Sequence, residues 1–363
     1  MGQFSKALEK QVKSLAWQGI GALVRLCRKP AAQDFEWNRV QSVLVVRPDR
    51  LGDVVLSTPV YVSLKRSFPD LKTTALVHKD YVPLLQNHPD IDRTLAYDPK
   101  RPWKIARQLR KQKFDLSLTL NKSFSATASV LTLLAGAHYR AGYRHAQNAW
   151  LYDFHGEPDS EARHETQNNL ELLKVLKAPA LTEAPRLGFS EDERQAAQNR
   201  LEALTRQPGP PVALIKIGSR VPQWGWSPDK FIEVANALVR ENQAQLLFIV
   251  GPGEENMMRE LSRKMEFEPQ ILPLMSVREL AALMQFCDLL FCNHTGIMHL
   301  ASAVQTPLAV IFKHGEIKRW GPVNNRHVIL EERNGDDLPA PFVTQQILTL
   351  LRESKADRSN PNL

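Results

Sequence analysis

From residue 42 onward the chain alternates short, β-branched apolar runs with longer stretches of helical period, a pattern that few folds accept. A strand written as an unbroken apolar run is buried on both faces, so helices must cover both faces of its sheet. SVLVVR (42–47), TTALVH (73–78), RTLAYD (93–98) and FDLSLTL (114–120) read as such strands, with helices over about 54–66, 101–112 and 124–135. A helical stretch at 164–177 follows, and residues 178–188 (APALTEAPRLG) are punctuated by proline like a linker. A second series then begins with helix 191–205, strand VALIKI (212–217), a helix from Ser227-Pro228 and strand QLLFIV (245–250). It continues with helices 254–265 and 277–285, strand DLLFC (288–292), helix 296–304, strand LAVIF (308–312) and a last helix near 343–353. The expected fold is α/β, two doubly wound Rossmann-like domains facing a cleft, with ligands at the carboxyl ends of both sheets. The expected divisions are a basic amphipathic helical extension (1–36), a first domain (37–185), a second (186–353) and a polar tail (354–363).

At 363 residues, 43% hydrophobic and 24% charged, the chain has ample core for two domains and is not a disordered one. No apolar run approaches the roughly 18 residues that a membrane-spanning helix needs. Three cysteines exclude a disulfide framework and fit a reducing compartment; Cys287 and Cys292 read as core. The formal charge is +8, yet residues 1–30 hold six basic residues and one acid, a net of +5. Basic character concentrated there argues against a nucleic-acid-binding body. Phe4, Leu8, Val12, Leu15, Leu23 and Leu26 fall on one side of a helix, with Lys6, Lys10, Lys13 and Arg28 opposite. That pattern suits a helix lying on an anionic membrane surface, a helix packed on its own domain, or a targeting peptide. Gly19 and Gly21 weaken it as a helix.

Two places carry candidate chemistry. The first strand ends in Arg47-Pro48-Asp49-Arg50-Leu51-Gly52-Asp53. Gly52 permits a tight strand-to-helix turn that leaves Asp53 at the helix entrance, either as an N-cap or as a general base for a hydroxyl nucleophile. The second is Asn293-His294-Thr295-Gly296-Ile297-Met298-His299, at a strand end and helix start, where backbone N–H groups make a seat for a phosphate and His299 lies one turn in. Arg101, Lys104, Arg107, Arg110 and Lys111 read either as a solvated helix face or as a cradle for an anionic ligand. The Cys and His residues show no metal-ligand spacing, and neither a metal nor a cofactor is expected.

VLVVRPDRLGDVVLSTPVYVSLKRSFP resembles the opening of glycosyltransferase family 9, the ADP-heptose:lipopolysaccharide heptosyltransferases. NHTGIMHLASAVQTPLAVIF followed by KRWGP resembles the family's second motif, and AGYRH (141–145) and RHETQNNLELL (163–173) are also similar to family members. The resemblance implies a GT-B enzyme that moves a heptose from ADP-heptose to the lipopolysaccharide inner core, with inversion and without metal. It would be cytoplasmic and peripheral on the inner face of the inner membrane, with a lipid A-core acceptor. Residue by residue, Asp53 matches the base, and Thr295, Gly296 and His299 match the donor diphosphate run. Arg50, Gly52, Arg101 and Lys104 fall to the acceptor.

Three positions depart from the family. His294 stands where aspartate is usual, Lys313 where glycine is usual, and Trp224, with Gly225 beside it, where a lysine steadies the diphosphate. That lysine's role would pass to Arg220, Lys216 or Lys313, with Ser219 nearby, or be lost. The same fold with a different nucleotide-sugar donor, or a non-catalytic protein that binds glycolipid or a partner, are the alternative expectations. A two-domain sugar-nucleotide epimerase shares the architecture but needs no acceptor base.

Overall fold

The computed structural model describes residues 17, 19, 21, 34–157, 163–182, 184–205, 209–240, 244–323, 325–332 and 337–358. Most of the expected N-terminal helix, and the tail beyond 358, lie outside the described residues. The chain divides into two compact units between residues 183 and 184.

The first unit holds strands β1 (Ser42–Arg47), β2 (Lys72–His78), β3 (Arg93–Tyr97), β4 (Leu116–Thr119), β5 (Tyr139–Tyr143) and β6 (Phe154–Gly156). They form one parallel sheet in the order β3-β2-β1-β4-β5-β6. The second holds β7 (Val212–Lys216), β8 (Gln245–Phe248), β9 (Gln270–Ile271), β10 (Leu289–Asn293), β11 (Leu308–Phe312) and β12 (His327–Glu331), in the order β12-β11-β10-β7-β8-β9. Every pair is again parallel. Counted from its own first strand, each sheet has the order 3-2-1-4-5-6 of a doubly wound fold. The strand order reverses between β1 and β4, and between β7 and β10, so ligand crevices are expected at those carboxyl ends.

Strand β1 shows why the apolar runs are unbroken. Val43 and Val45 join Val54, Val60 and Leu64 on one face of the sheet. Leu44 and Val46 join Ile105, Leu109, Ala128 and Leu131 on the other. All four β1 residues are fully buried, since successive side chains point to opposite, equally covered faces.

The helix expected over 54–66 is two helices, α1 (Leu51–Leu56) and α2 (Thr58–Ser67). Pro59 has no N–H to donate to Val55 O, and that carbonyl accepts instead from Thr58 Oγ1 at 2.8 Å. Ser57 Oγ donates likewise to Val54 O at 2.6 Å. Among the described residues the further α-helices of this unit are α3 (Pro102–Lys111), α4 (Ala126–Ala135) and α5 (Glu165–Val175). The second unit adds α6 (Glu191–Leu204), α7 (Pro228–Arg240), α8 (Glu255–Ser262), α9 (Val277–Met284), α10 (Gly296–Ala303), α11 (Ile317–Trp320) and α12 (Ala340–Arg358).

Of the three described N-terminal residues, Trp17 and Gly21 contact the first unit and Gly19 is exposed. Trp17 meets Phe124 edge-on at 5.8 Å and Trp150 at 6.1 Å. Gly21 is buried, and a Cβ there would sit 2.6 Å from the Trp150 ring. The glycine that weakens the helix is thus what lets its backbone lie on an indole. At Trp17 and Gly21 the segment packs on its own domain.

Candidate active site

Arg47, the last residue of β1, is buried at the switch point of the first sheet with its side chain 3% exposed. Buried guanidinium requires compensating charge and a filled set of acceptors. Nη2 donates to Asp53 Oδ1 at 2.6 Å and to Glu165 Oε1 at 2.9 Å. Nη1 donates to Leu120 O and, at 3.3 Å, to Asn169 Oδ1; Nε lies 3.3 Å from Asp49 Oδ2. Burial opposes the charge of Arg47, but Asp53, Glu165 and Asp49 more than offset it and hold the guanidinium protonated. Burial pushes the Asp49 carboxyl up, beyond what Arg47 takes back. Each carboxylate is held by a different element. Asp53 lies in the first turn of α1, Glu165 opens α5, and Asp49 accepts from Asn121 Nδ2 after β4 at 2.6 Å. Asn169 also ties α5 to α1 by donating to Leu56 O at 2.9 Å.

Two local expectations change here. The N-cap of α1 is Arg50, which is exposed, so Asp53 is not the cap. Its carboxylate is turned onto Arg47 instead. Gly52 is a buried residue inside α1 with no left-handed backbone, so it does not make the strand-to-helix turn.

In the second unit, β10 ends in Asn293, whose amide holds the loop after β7. Its Nδ2 donates to Ile217 O at 2.7 Å and its Oδ1 accepts from Trp226 N at 2.9 Å. Thr295 is the N-cap of α10 but makes no side-chain cap, and its buried Oγ1 has no hydrogen-bond partner among the described residues. Gly296 opens α10, leaving first-turn N–H groups aimed out of the helix beside that hydroxyl. His299 is buried in the same helix, its ring 6.4 Å from Trp320. His294 is stacked on Phe312 at 4.3 Å, with Nδ1 3.3 Å from His314 O, and burial lowers its pKa. Trp224, where the family lysine is expected, is 44% exposed and stacks on His314 at 4.6 Å.

The three cations offered for that lysine are not alike. Lys216 is buried and donates to both oxygens of Glu254, at 2.6 and 2.5 Å, while Glu254 Oε2 accepts from Gly251 N. A Cβ at Gly218 would run into this pair. Lys313 lies 3.1 Å from Glu332, drawn toward the β12 side of the sheet. Arg220 is exposed and has no ion-pair partner among the described residues; Ser219 beside it is half-buried. Arg101 and Lys104 are exposed at the start of α3, and no described hydrogen bond or ion pair joins them to the Asp53 cluster.

One Asp-x-Asp stretch, Asp90-Ile91-Asp92, precedes β3 at the opposite end of the sheet. Asp92 accepts from Thr73 N at 2.7 Å and pairs with Lys65 at 2.9 Å, a structural turn. Among the described residues no group of three or more His, Cys, Asp or Glu is arranged to hold a metal ion. Cys287 and Cys292 are both buried, and burial pushes the Cys292 thiol up to about 12.

Arg47, Glu165, Asn169 and Asn293 are the positioning groups that motif reading passed over. The available signal was polar: an arginine closing an apolar strand, and a helix opening (HETQNN) with scarcely an apolar residue to bury.

Residues 102–340 match glycosyltransferase family 9 (heptosyltransferase). The chain is 24% identical over 291 residues to lipopolysaccharide heptosyltransferase 3 of Escherichia coli, covering 76% of this chain and 85% of that protein. Among solved structures, it is similar to a glycosyltransferase family 9 protein of Veillonella parvula, with TM-score 0.75 and 21% identity over 86% of this chain and 97% of that one. It is also similar to the E. coli ADP-heptose lipopolysaccharide heptosyltransferase II, with TM-score 0.74 and 20% identity over 86% and 99%.

Proposed function

The chain belongs to glycosyltransferase family 9, and on that premise we propose that it transfers a heptose from ADP-heptose to the inner core of lipopolysaccharide. The observation that carries the reading is Asp53, a partly exposed carboxylate fixed by buried Arg47 at the switch point of the first sheet. An acceptor hydroxyl gives its proton to Asp53 as its oxygen bonds to the anomeric carbon from the face opposite the diphosphate. The bond from that carbon to the diphosphate breaks, and ADP leaves with the electron pair. One displacement inverts the anomeric centre, so one base suffices. The departing charge falls to the first-turn N–H groups of α10, the Thr295 hydroxyl and Arg220, which supply stabilisation without a metal.

Among the described residues no helix is long and apolar enough to cross a membrane. A lipid-held acceptor supports the reading of an enzyme peripheral on the cytoplasmic face of the inner membrane, with the basic N-terminal segment assisting. The Trp224–His314 stack, in place of a lysine, favours keeping a second reading: the same chemistry with another nucleotide-sugar donor.

Asp53→Asn keeps the shape of the side chain and removes its basicity. Transfer from ADP-heptose, followed by mass spectrometry of the core oligosaccharide, should fall about 10²-fold or more. Arg47 loses part of its compensating charge, so the melting temperature should fall too, and rates are compared where circular dichroism shows both proteins folded. Near-normal turnover would overturn the assignment. Calorimetric titration with ADP-heptose and other nucleotide sugars separates the two donor readings.

A further inference from the structure

Helix α3 carries a surface that the transfer chemistry does not use. Residues 100–113 (KRPWKIARQLRKQK) hold seven cations and no acid, and none of the seven has an ion-pair partner among the described residues. The helix buries only Ile105 and Leu109. At 100° per residue, Arg107 lies diametrically opposite those two, with Trp103 and Lys111 about 40° to either side of it and Arg110 and Lys104 about 60°. Trp103 is 63% exposed, among the most exposed large apolar side chains of the described residues. A solvated helix face explains cations but not an indole held out among them.

An indole ringed by cations matches the headgroup region of an anionic bilayer, which takes amphipathic rings at its interface and attracts basic residues by its surface potential. Position supports the match. All strands of this sheet are parallel, so every helix that follows a strand starts at the sheet's carboxyl end. Trp103 in the first turn of α3 therefore lies at the same end of the unit as Asp53. Phe124, which receives Trp17 of the basic N-terminal segment, follows β4 at that end too.

We propose that the outward face of α3, with Trp103 at its tip, docks the first unit onto an anionic lipid bilayer, in addition to any contribution from the N-terminal segment. The proposal rests on the reading that the acceptor is membrane-held, but docking itself needs no substrate.

The test is cosedimentation of the full chain with vesicles of phosphatidylglycerol and phosphatidylethanolamine, against phosphatidylcholine alone, without donor or acceptor. Each interfacial cation contributes about fivefold to partitioning, so Arg107→Gln with Arg110→Gln should weaken binding to anionic vesicles about 30-fold. Trp103→Ala should weaken it about tenfold. Arg259→Gln with Arg263→Gln, exposed residues in and just after α8 of the other unit, removes the same charge and should change little. The α3 variants should keep their melting temperature and their transfer rate to a delipidated core oligosaccharide, losing rate only on vesicle-embedded acceptor. Unchanged vesicle binding in the α3 variants, or an equal loss in the α8 pair, overturns the proposal. A lost rate on the delipidated acceptor also overturns it, by making α3 an oligosaccharide site. If the wild type transfers to neither acceptor yet still binds vesicles through α3, the transferase reading fails and the docking surface stands.

Discussion

Replacing Arg47 with methionine tests whether the first unit is built around its guanidinium. Methionine matches the stem in length and fits a buried site, so the main loss is charge and hydrogen bonding. What remains is Asp53, Glu165 and Asp49 converging on a space with no cation; the Glu165 side chain is only 2% exposed. Removing one partner of a buried ion pair costs about 3–5 kcal/mol, because the other partner keeps its desolvation penalty. For a unit of this size that lowers the melting temperature by roughly 6–20 °C. The deficit should shrink in acid, since a protonated carboxyl has no charge to strand. Arg47→Met combined with Glu165→Gln should recover about half of the loss or more, a coupling that a double-mutant cycle isolates. Thermal unfolding by circular dichroism between pH 5 and 8 reads all three effects. A single variant melting within about 2 °C of wild type, with no pH dependence, would refute the reasoning.

Burial lowers the His294 pKa, so the unfolded chain takes up that proton first. The contribution to stability is present above an ordinary pKa near 6.5 and is lost as pH falls below it. Stability of the second unit should therefore decline on acidification from about pH 6.5, and His294→Phe, which keeps a ring on Phe312, should flatten that slope. Of the cations near the donor run, Arg220→Ala should weaken ADP binding about tenfold by calorimetry, and paired Lys313→Ala less than threefold. The reverse order would restore Lys313 as the substitute for the family lysine. Gly21→Val forces a side chain into the Trp150 ring, and near-UV circular dichroism should lose the Trp17–Trp150 signal while far-UV helicity is kept.

The central strands were readable because burial on both faces leaves an apolar run with nothing to interrupt it, as in β1 and β11. Strands β5 (YRAGY), β6 (FHG) and β9 (QI) were not, being short, glycine-containing or polar and lying toward sheet edges. Edge strand β12 (HVILE) has an apolar centre, but lies only partly buried and beyond the last expected strand. In the site, motif resemblance pointed to Asp53 and Thr295, yet what fixes them is long-range. Glu165 lies 118 residues from Arg47, and no local pattern records such a pairing. The same distance hides which cations are already paired: Lys216 and Glu254 are 38 residues apart.

Each unit is one uninterrupted stretch of chain, and that gives synthesis a direction. The first sheet is complete once β6 has emerged, and Arg47 gains its buried carboxylate when α5 follows nine residues later. At about 5–20 residues per second, the second unit needs roughly 10–40 s more to be made. Single domains fold in far less time, so the half bearing Asp53 matures on the ribosome with its ion cluster closed. On the proposed reading, its basic helix is then available to a membrane surface before the unit that carries α10 exists.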